Sequence, residues 1–132
     1  MENTQNGGLT GNIKNDIFIS MKNRKPIFWL GNEVKTPPFS EESRQEAGFL
    51  LGRLQDGAII GLPHVRPMPS IGMSCCEIRV NAAEGQWRII LRIDEDAIII
   101  VDVFLKKTEK TPKEVINLCK KRLARYDVSA KG

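Results

Sequence analysis

Residues 76–106 read CEIRVNAAEGQWRIILRIDEDAIIIVDVFLK, and this stretch decides the fold. Three runs rich in β-branched and aromatic residues, Cys76–Val80, Gln86–Ile93 and Ala97–Leu105, are separated by short polar segments at Asn81–Gly85 and Asp94–Asp96. Such spacing predicts an antiparallel meander. Because side chains alternate across a strand, Trp87, Ile89, Leu91 and Ile93 share one face with Cys76, Ile78 and Val80. Strict alternation adds Ile99, Val101, Val103 and Leu105 to that apolar face and puts Ile98, Ile100, Asp102, Phe104 and Lys106 on the other. The second face then presents Arg79, Arg88, Arg92 and Lys106 around Phe104.

Outward from the meander, Ile27-Phe28-Trp29-Leu30 is a short strand closed by Gly31-Asn32. After Pro37-Pro38, Ser40 is placed to cap a helix with Glu41 and Glu42 in its first turn. Ala47, Leu50, Leu51 and Leu54 form its apolar face and Gly57 stops it. Pro63, Pro67 and Pro69 deny Gly61–Gly72 a helix or a central strand, so a long loop is expected there. The last helix opens on Thr111-Pro112-Lys113-Glu114, read as Thr cap, Pro in the first turn and Glu completing a capping box; Ile116, Cys119, Leu123 and Tyr126 form its buried stripe. The fold class is α+β: a small antiparallel sheet, the meander plus the N-terminal strand, packed against helices. Residues 1–24 form a weakly structured leader, 25–127 the domain and 128–132 a C-terminal tail.

The composition bounds what the chain does. At 132 residues it is one domain. Its 41% apolar and 27% charged residues are those of a globular protein, without a run able to span a bilayer. The opening residues lack the basic, apolar and small-residue regions of a secretory signal, so a cytoplasmic location is expected. Cys75, Cys76 and Cys119 are odd in number, and the first two point to opposite faces of a strand, which argues against a disulfide framework. No CxxC pair or histidine cluster suggests a metal site; the one histidine, His64, lies in a Pro-flanked loop. Neither metal nor small-molecule cofactor is expected.

A formal charge of +4 and a pI near 9.1 suit an anionic partner without identifying it. Lys106, Lys107, Lys110, Lys113, Lys120, Lys121, Arg122 and Arg125 crowd the C-terminal quarter. By pattern alone, the sheet cations are equally well outward charges on a half-exposed sheet, with Glu77 and Asp102 neutralising two of them. Removing Arg88 from such a surface costs little stability. The same set around an aromatic is also what a phosphate and an unstacked base require, since guanidinium forks grip phosphate oxygens and a ring offers a stacking platform.

The chain also carries Lys25-Pro26-Ile27-Phe28-Trp29-Leu30-Gly31, then Glu46-Ala47-Gly48 and Arg66-Pro67-Met68-Pro69-Ser70-Ile71-Gly72. Glu77-Ile78-Arg79-Val80, Trp87-Arg88-Ile89 and Phe104-Leu105-Lys106-Lys107-Thr108-Glu109-Lys110-Thr111-Pro112 follow. In this order, over about residues 25–125, the blocks resemble the phage-derived HigB branch of the RelE/ParE toxins. The resemblance implies a RelE-like fold and the toxin of a type II toxin-antitoxin system. It further implies an endoribonuclease that enters the ribosome, cleaves messenger RNA and is silenced by a cognate helix-turn-helix antitoxin. Arg79 and Arg88 match the family's basic strand positions; Lys106, Lys107 and Lys110 match its basic loop. Glu77 stands where the RelE toxins carry a further lysine, and their tyrosine near the last helix has no counterpart, since the one tyrosine is Tyr126.

Metal-free cleavage of this kind uses attack of a ribose 2′-hydroxyl on the adjacent phosphate. Arg88 is assigned charge stabilisation and Arg79 phosphate positioning. A lysine among Lys106, Lys107 and Lys110 serves as base, its pKa lowered by neighbouring cations. Lys106, Arg92, Phe104 and Lys113 are the expected RNA contacts, with a packing role for Phe104 equally open. Superfamily members that poison DNA gyrase without cleaving RNA, and members that bind without activity, are the alternatives.

Overall fold

The computed structural model describes residues 24–30, 39–106 and 111–131. The readings made for residues 1–23, for the Gly31-Asn32 and Pro37-Pro38 punctuation, and for Lys107 and Lys110 lie outside the described residues. The elements run β1 (Ile27–Trp29), α1 (Glu41–Gln55), β2 (Val65–Pro67), β3 (Cys75–Ala82), β4 (Gly85–Ile93), β5 (Ile98–Lys106) and α2 (Lys113–Lys131). They form an α+β fold around one five-stranded sheet in the order β1-β5-β4-β3-β2. The expected meander is β3-β4-β5, antiparallel throughout. The N-terminal strand joins it parallel, pairing Ile27–Trp29 with Ile98–Ile100, so the sheet is mixed at that edge.

Helix α1 begins where the sequence places it. The Ser40 side chain accepts from the Ser43 amide at 3.2 Å, satisfying one of the donors a helix start leaves open. Gly57 at φ +88° ends it. Ala47, Leu50 and Leu54 pack on Val65, Ile78, Val80, Trp87, Ile89 and Leu91 of the sheet. On the other face, Cys119 and Leu123 of α2 pack on Met68, Ile71, Cys75, Ile90 and Ile99, with Ile116 and Tyr126 at the margin. Each fully buried Leu or Ile contributes roughly 1.5–3 kcal/mol, and the sheet is buried on both faces over Ile98–Val101.

Four details depart from the sequence reading. The Pro-rich loop contains β2, whose Arg66 and Pro67 lie opposite Glu77 and Cys76. Pro67 is accommodated because β2 is the edge strand, where a missing N–H deprives no neighbour. Helix α2 starts one residue later than expected: the Pro112 carbonyl accepts from Val115 and Ile116, and Thr111 turns its hydroxyl to Glu77. The helix also continues to Lys131, beyond the expected boundary at 127.

The fourth departure governs the site. Between Ile90 and Leu91 the pairing slips, with Ile90 opposite Asp102 but Leu91 opposite Ile100, so Val101 is an extra residue in β5. This bulge reverses the alternation halfway along the strand. Ile98 and Ile100 therefore share the α1 face with Val103 and Leu105, whereas Ile99 and Val101 lie on the α2 face. The expected grouping of Ile99 and Val101 with Val103 and Leu105 is corrected accordingly. Strict alternation would have required either two buried isoleucines in the polar face or Lys106 in the core.

Candidate functional site

The α2 side of the sheet divides into two parts. One is the apolar bed beneath α2. The other, beyond the start of that helix, is polar and centres on Glu77, which is wholly buried. Its carboxylate accepts from Arg88 Nη1, from Arg79 Nε at 3.4 Å and from Thr111 Oγ1 at 2.8 Å. Arg79 and Arg88 face one another across β3 and β4, and Phe104 lies across from Arg88 on β5. The bulge at Val101 is what brings Phe104 and Lys106 to this face.

Arg88 is 4% exposed, so it is not the outward strand arginine the alternation implied. Burial lowers its pKa against the opposing pull of Glu77, and Arg79 lowers it further. Its Nε is buried without a hydrogen-bond partner among the described residues, a state natural proteins seldom leave without reason. Lys106, also buried, has its pKa brought down to about 8, first by desolvation and then by Arg88, with Arg79 and Arg66 adding to Arg88 and Glu77 opposing. Arg66, exposed on β2, stands opposite Glu77. Two arginines thus bond one carboxylate, with Lys106 and Arg66 as electrostatic neighbours, and these forces are strong around the buried Glu77, Arg88 and Lys106, where water is largely excluded.

Of the expected site residues, the structure gathers Arg79, Arg88, Lys106 and Phe104. Phe104 also packs against the apolar bed of α2. Lys113 is exposed in the first turn of α2. Arg92 is elsewhere, four residues along β4 from Arg88 and hence about 13 Å away. It binds Asp94 through Nε at 2.7 Å and Asp127 through Nη2 at 2.7 Å, with its guanidinium over the Tyr126 ring. Asp102 does not neutralise the cluster; it pairs with Arg122, which also donates to the Val101 carbonyl at the bulge. His64 is exposed in a loop. Sequence reasoning missed Arg66, which shows its place only once β2 has a register, and Thr111, which reads as a helix cap.

Residues 38–124 match the family described as phage-derived protein Gp49-like (DUF891). The chain belongs to this family. The match covers every part of the cluster, from Arg66 to Thr111. No curated protein matches the chain. Among the described residues no helix is long and apolar enough to cross a membrane, and no group of three or more His, Cys, Asp or Glu is placed to hold a metal ion.

Proposed function

We propose that this Gp49-like protein is the toxin of a toxin-antitoxin pair, of the HigB branch of the RelE/ParE superfamily, and that it cleaves messenger RNA on the ribosome. The observation that carries this reading is the buried Arg88, with a donor to spare, beside Arg79 and a Lys106 whose pKa is brought down to about 8. A scissile phosphate seated there receives guanidinium bonds that strengthen as the phosphorane gains charge.

The reaction is a transfer within the RNA. Lys106 takes the proton of the 2′-hydroxyl, the 2′-oxygen bonds to phosphorus, and the bond from phosphorus to the 5′-oxygen breaks. A 2′,3′-cyclic phosphate remains on one fragment and the leaving oxygen takes a proton from a second donor, a role we give to Lys107 or Lys110. Arg79 fixes the phosphate and Arg88 carries the developing charge. Because the site brings no dedicated strong base, in-line geometry supplies much of the acceleration, and the ribosome is the surface that imposes it. An antitoxin encoded beside the gene is the expected partner, neutralising this cationic surface.

The test uses programmed ribosomes carrying messenger with a single 2′-deoxy or 2′-O-methyl nucleotide at the scissile position. Such messenger binds but stays intact, while the all-ribose messenger is cut, with or without chelator. Cleavage of the 2′-deoxy messenger, or its loss on chelation, refutes the mechanism. Intact messenger together with accumulating gyrase-linked DNA breaks establishes a gyrase poison instead.

A further inference from the structure

A cleft adjoins the cation cluster. It has a volume of about 310 Å³ and opens between the segment after β2 and the start of α2, walled by Pro67, Met68 and Ile116, with Arg66, Ser70 and Thr111 at its edge. We propose that this cleft seats one nucleobase of the RNA, next to the phosphate held by Arg88 and Arg79; the inference rests on reading that cluster as a phosphate site.

Two residues belong to both places. Thr111 lines the cleft and donates to Glu77; Arg66 lines the cleft and stands opposite Glu77 across β2 and β3. Cleft and cluster are therefore contiguous, and Arg88, on the same face of the sheet, has its buried Nε without a hydrogen-bond partner among the described residues. A ligand filling both combines an anion with a flat body that has apolar faces and a hydrogen-bonding edge, which is the chemistry of a nucleotide. Proline ring and guanidinium plane are both surfaces on which an unstacked base lies flat, and the Ser70 hydroxyl meets a base edge. The volume is at the lower end of ligand sites and so admits one base.

Two other cavities among the described residues differ in chemistry. The cleft of about 340 Å³ beside Leu54, Ile59 and Ile60 has no cation in its walls. The one beside Arg92 has that cation already bound to Asp94 and Asp127, and its other cation, Lys120, is an exposed side chain.

The experiment titrates the isotopically labelled full chain with inorganic phosphate and, separately, with adenosine 3′-monophosphate, following amide resonances. Both shift Arg79 and Arg88; only the nucleotide shifts Ser70 and Ile116. Stacking of ordinary strength makes the nucleotide bind at least about fivefold tighter than phosphate. Ser70→Leu, which fills the cleft from an exposed position without adding a stacking plane, returns nucleotide affinity to that of phosphate. Phosphate binding with no gain from the base, or a Ser70→Leu protein with undiminished nucleotide affinity, overturns the cleft while sparing the cluster. If neither ligand binds, the phosphate site falls and the cleft with it.

Discussion

Arg88 and Glu77 meet on a diagonal: Arg88 lies directly opposite Arg79 on β3, and Glu77 directly opposite Ile90 on β4, yet the guanidinium reaches Oε1 of the buried carboxylate. Like charges directly opposite on adjacent strands repel, so the Arg79–Arg88 pair depends on Glu77 between them. The carboxylate holds two arginines in one low-dielectric place and, through Thr111, ties them to the start of α2. It is a scaffold for positive charge rather than a surface counter-ion.

Arg88→Ala therefore removes one partner of a buried ion pair and leaves Glu77 charged and buried. The expected loss of stability is about 3 kcal/mol or more, measured by urea unfolding. Replacing both partners, Glu77→Leu with Arg88→Met, restores most of it but not toxicity. A single variant within about 1 kcal/mol of the parent shows that the pair is effectively solvated, as the alternation of β4 alone suggested. Loss of toxicity in the single variant thus means little unless the folded fraction is measured alongside.

How far the site was legible in sequence follows from what each residue depends on. Arg79 and Arg88 were found because β3 and β4 pair without a slip between them, so alternation carries over. Phe104 and Lys106 fell on the correct face because they lie opposite Arg88 and Gln86 in a stretch paired without a slip; the sequence has no mark for the bulge at Val101, and ignoring it misplaced Ile98 to Val101 instead. Burial of Arg88 and Glu77 was invisible, because a charged residue in a strand pattern reads as outward until its diagonal neighbour is known. The helices were legible through their caps and apolar stripes, which act over four residues and need no partner.

Arg92 illustrates the limit of that reasoning. It shares the face of Arg88, but Asp94 and Asp127 occupy its guanidinium on three sides with Tyr126 beneath, and these bonds raise its pKa further. Arg92→Ala is expected to cost about 1–2 kcal/mol, the range for charge-assisted bonds discounted for partial exposure. Cleavage per folded molecule should stay within about twofold of the parent. A tenfold fall in cleavage at unchanged stability assigns Arg92 to the RNA after all.

Cys75, Cys76 and Cys119 are free and buried. Burial pushes the thiols of Cys76 and Cys119 up to about 12 and raises Cys75 as well. The thiolate is the reactive species, so iodoacetamide at about pH 8 should label the native protein at least an order of magnitude more slowly than free thiol and label all three sites once urea unfolds it. Fast native labelling shows that a sheet face opens.

The last prediction concerns Lys106. Its proton leaves near pH 8 in the folded protein against an ordinary value of 10.5. As a general base it works only when neutral, so single-turnover cleavage should rise about tenfold per pH unit below 8 and level off above it. Lys106→Arg keeps a cation but cannot lose it, and should flatten the profile and cut the rate by roughly a hundredfold or more. Stability gives an independent reading with a definite sign. Between pH 8 and 10.5 the unfolded chain holds the proton that the folded chain has released, so this lysine makes stability rise with pH. Cys76 and Cys119 act in the opposite direction, already as pH approaches 9, because their folded values are raised from 9.0 to about 12 and the unfolded thiols ionise first; Cys75, also raised, adds to them. The difference between parent and Lys106→Met accordingly isolates the lysine, because the thiols contribute equally to both: the parent's unfolding free energy gains on the variant's as pH rises from 8 to 10.5. A rate profile flat through pH 8, with the stabilities of parent and Lys106→Met running parallel, removes Lys106 as the base and returns the role to Lys107 or Lys110.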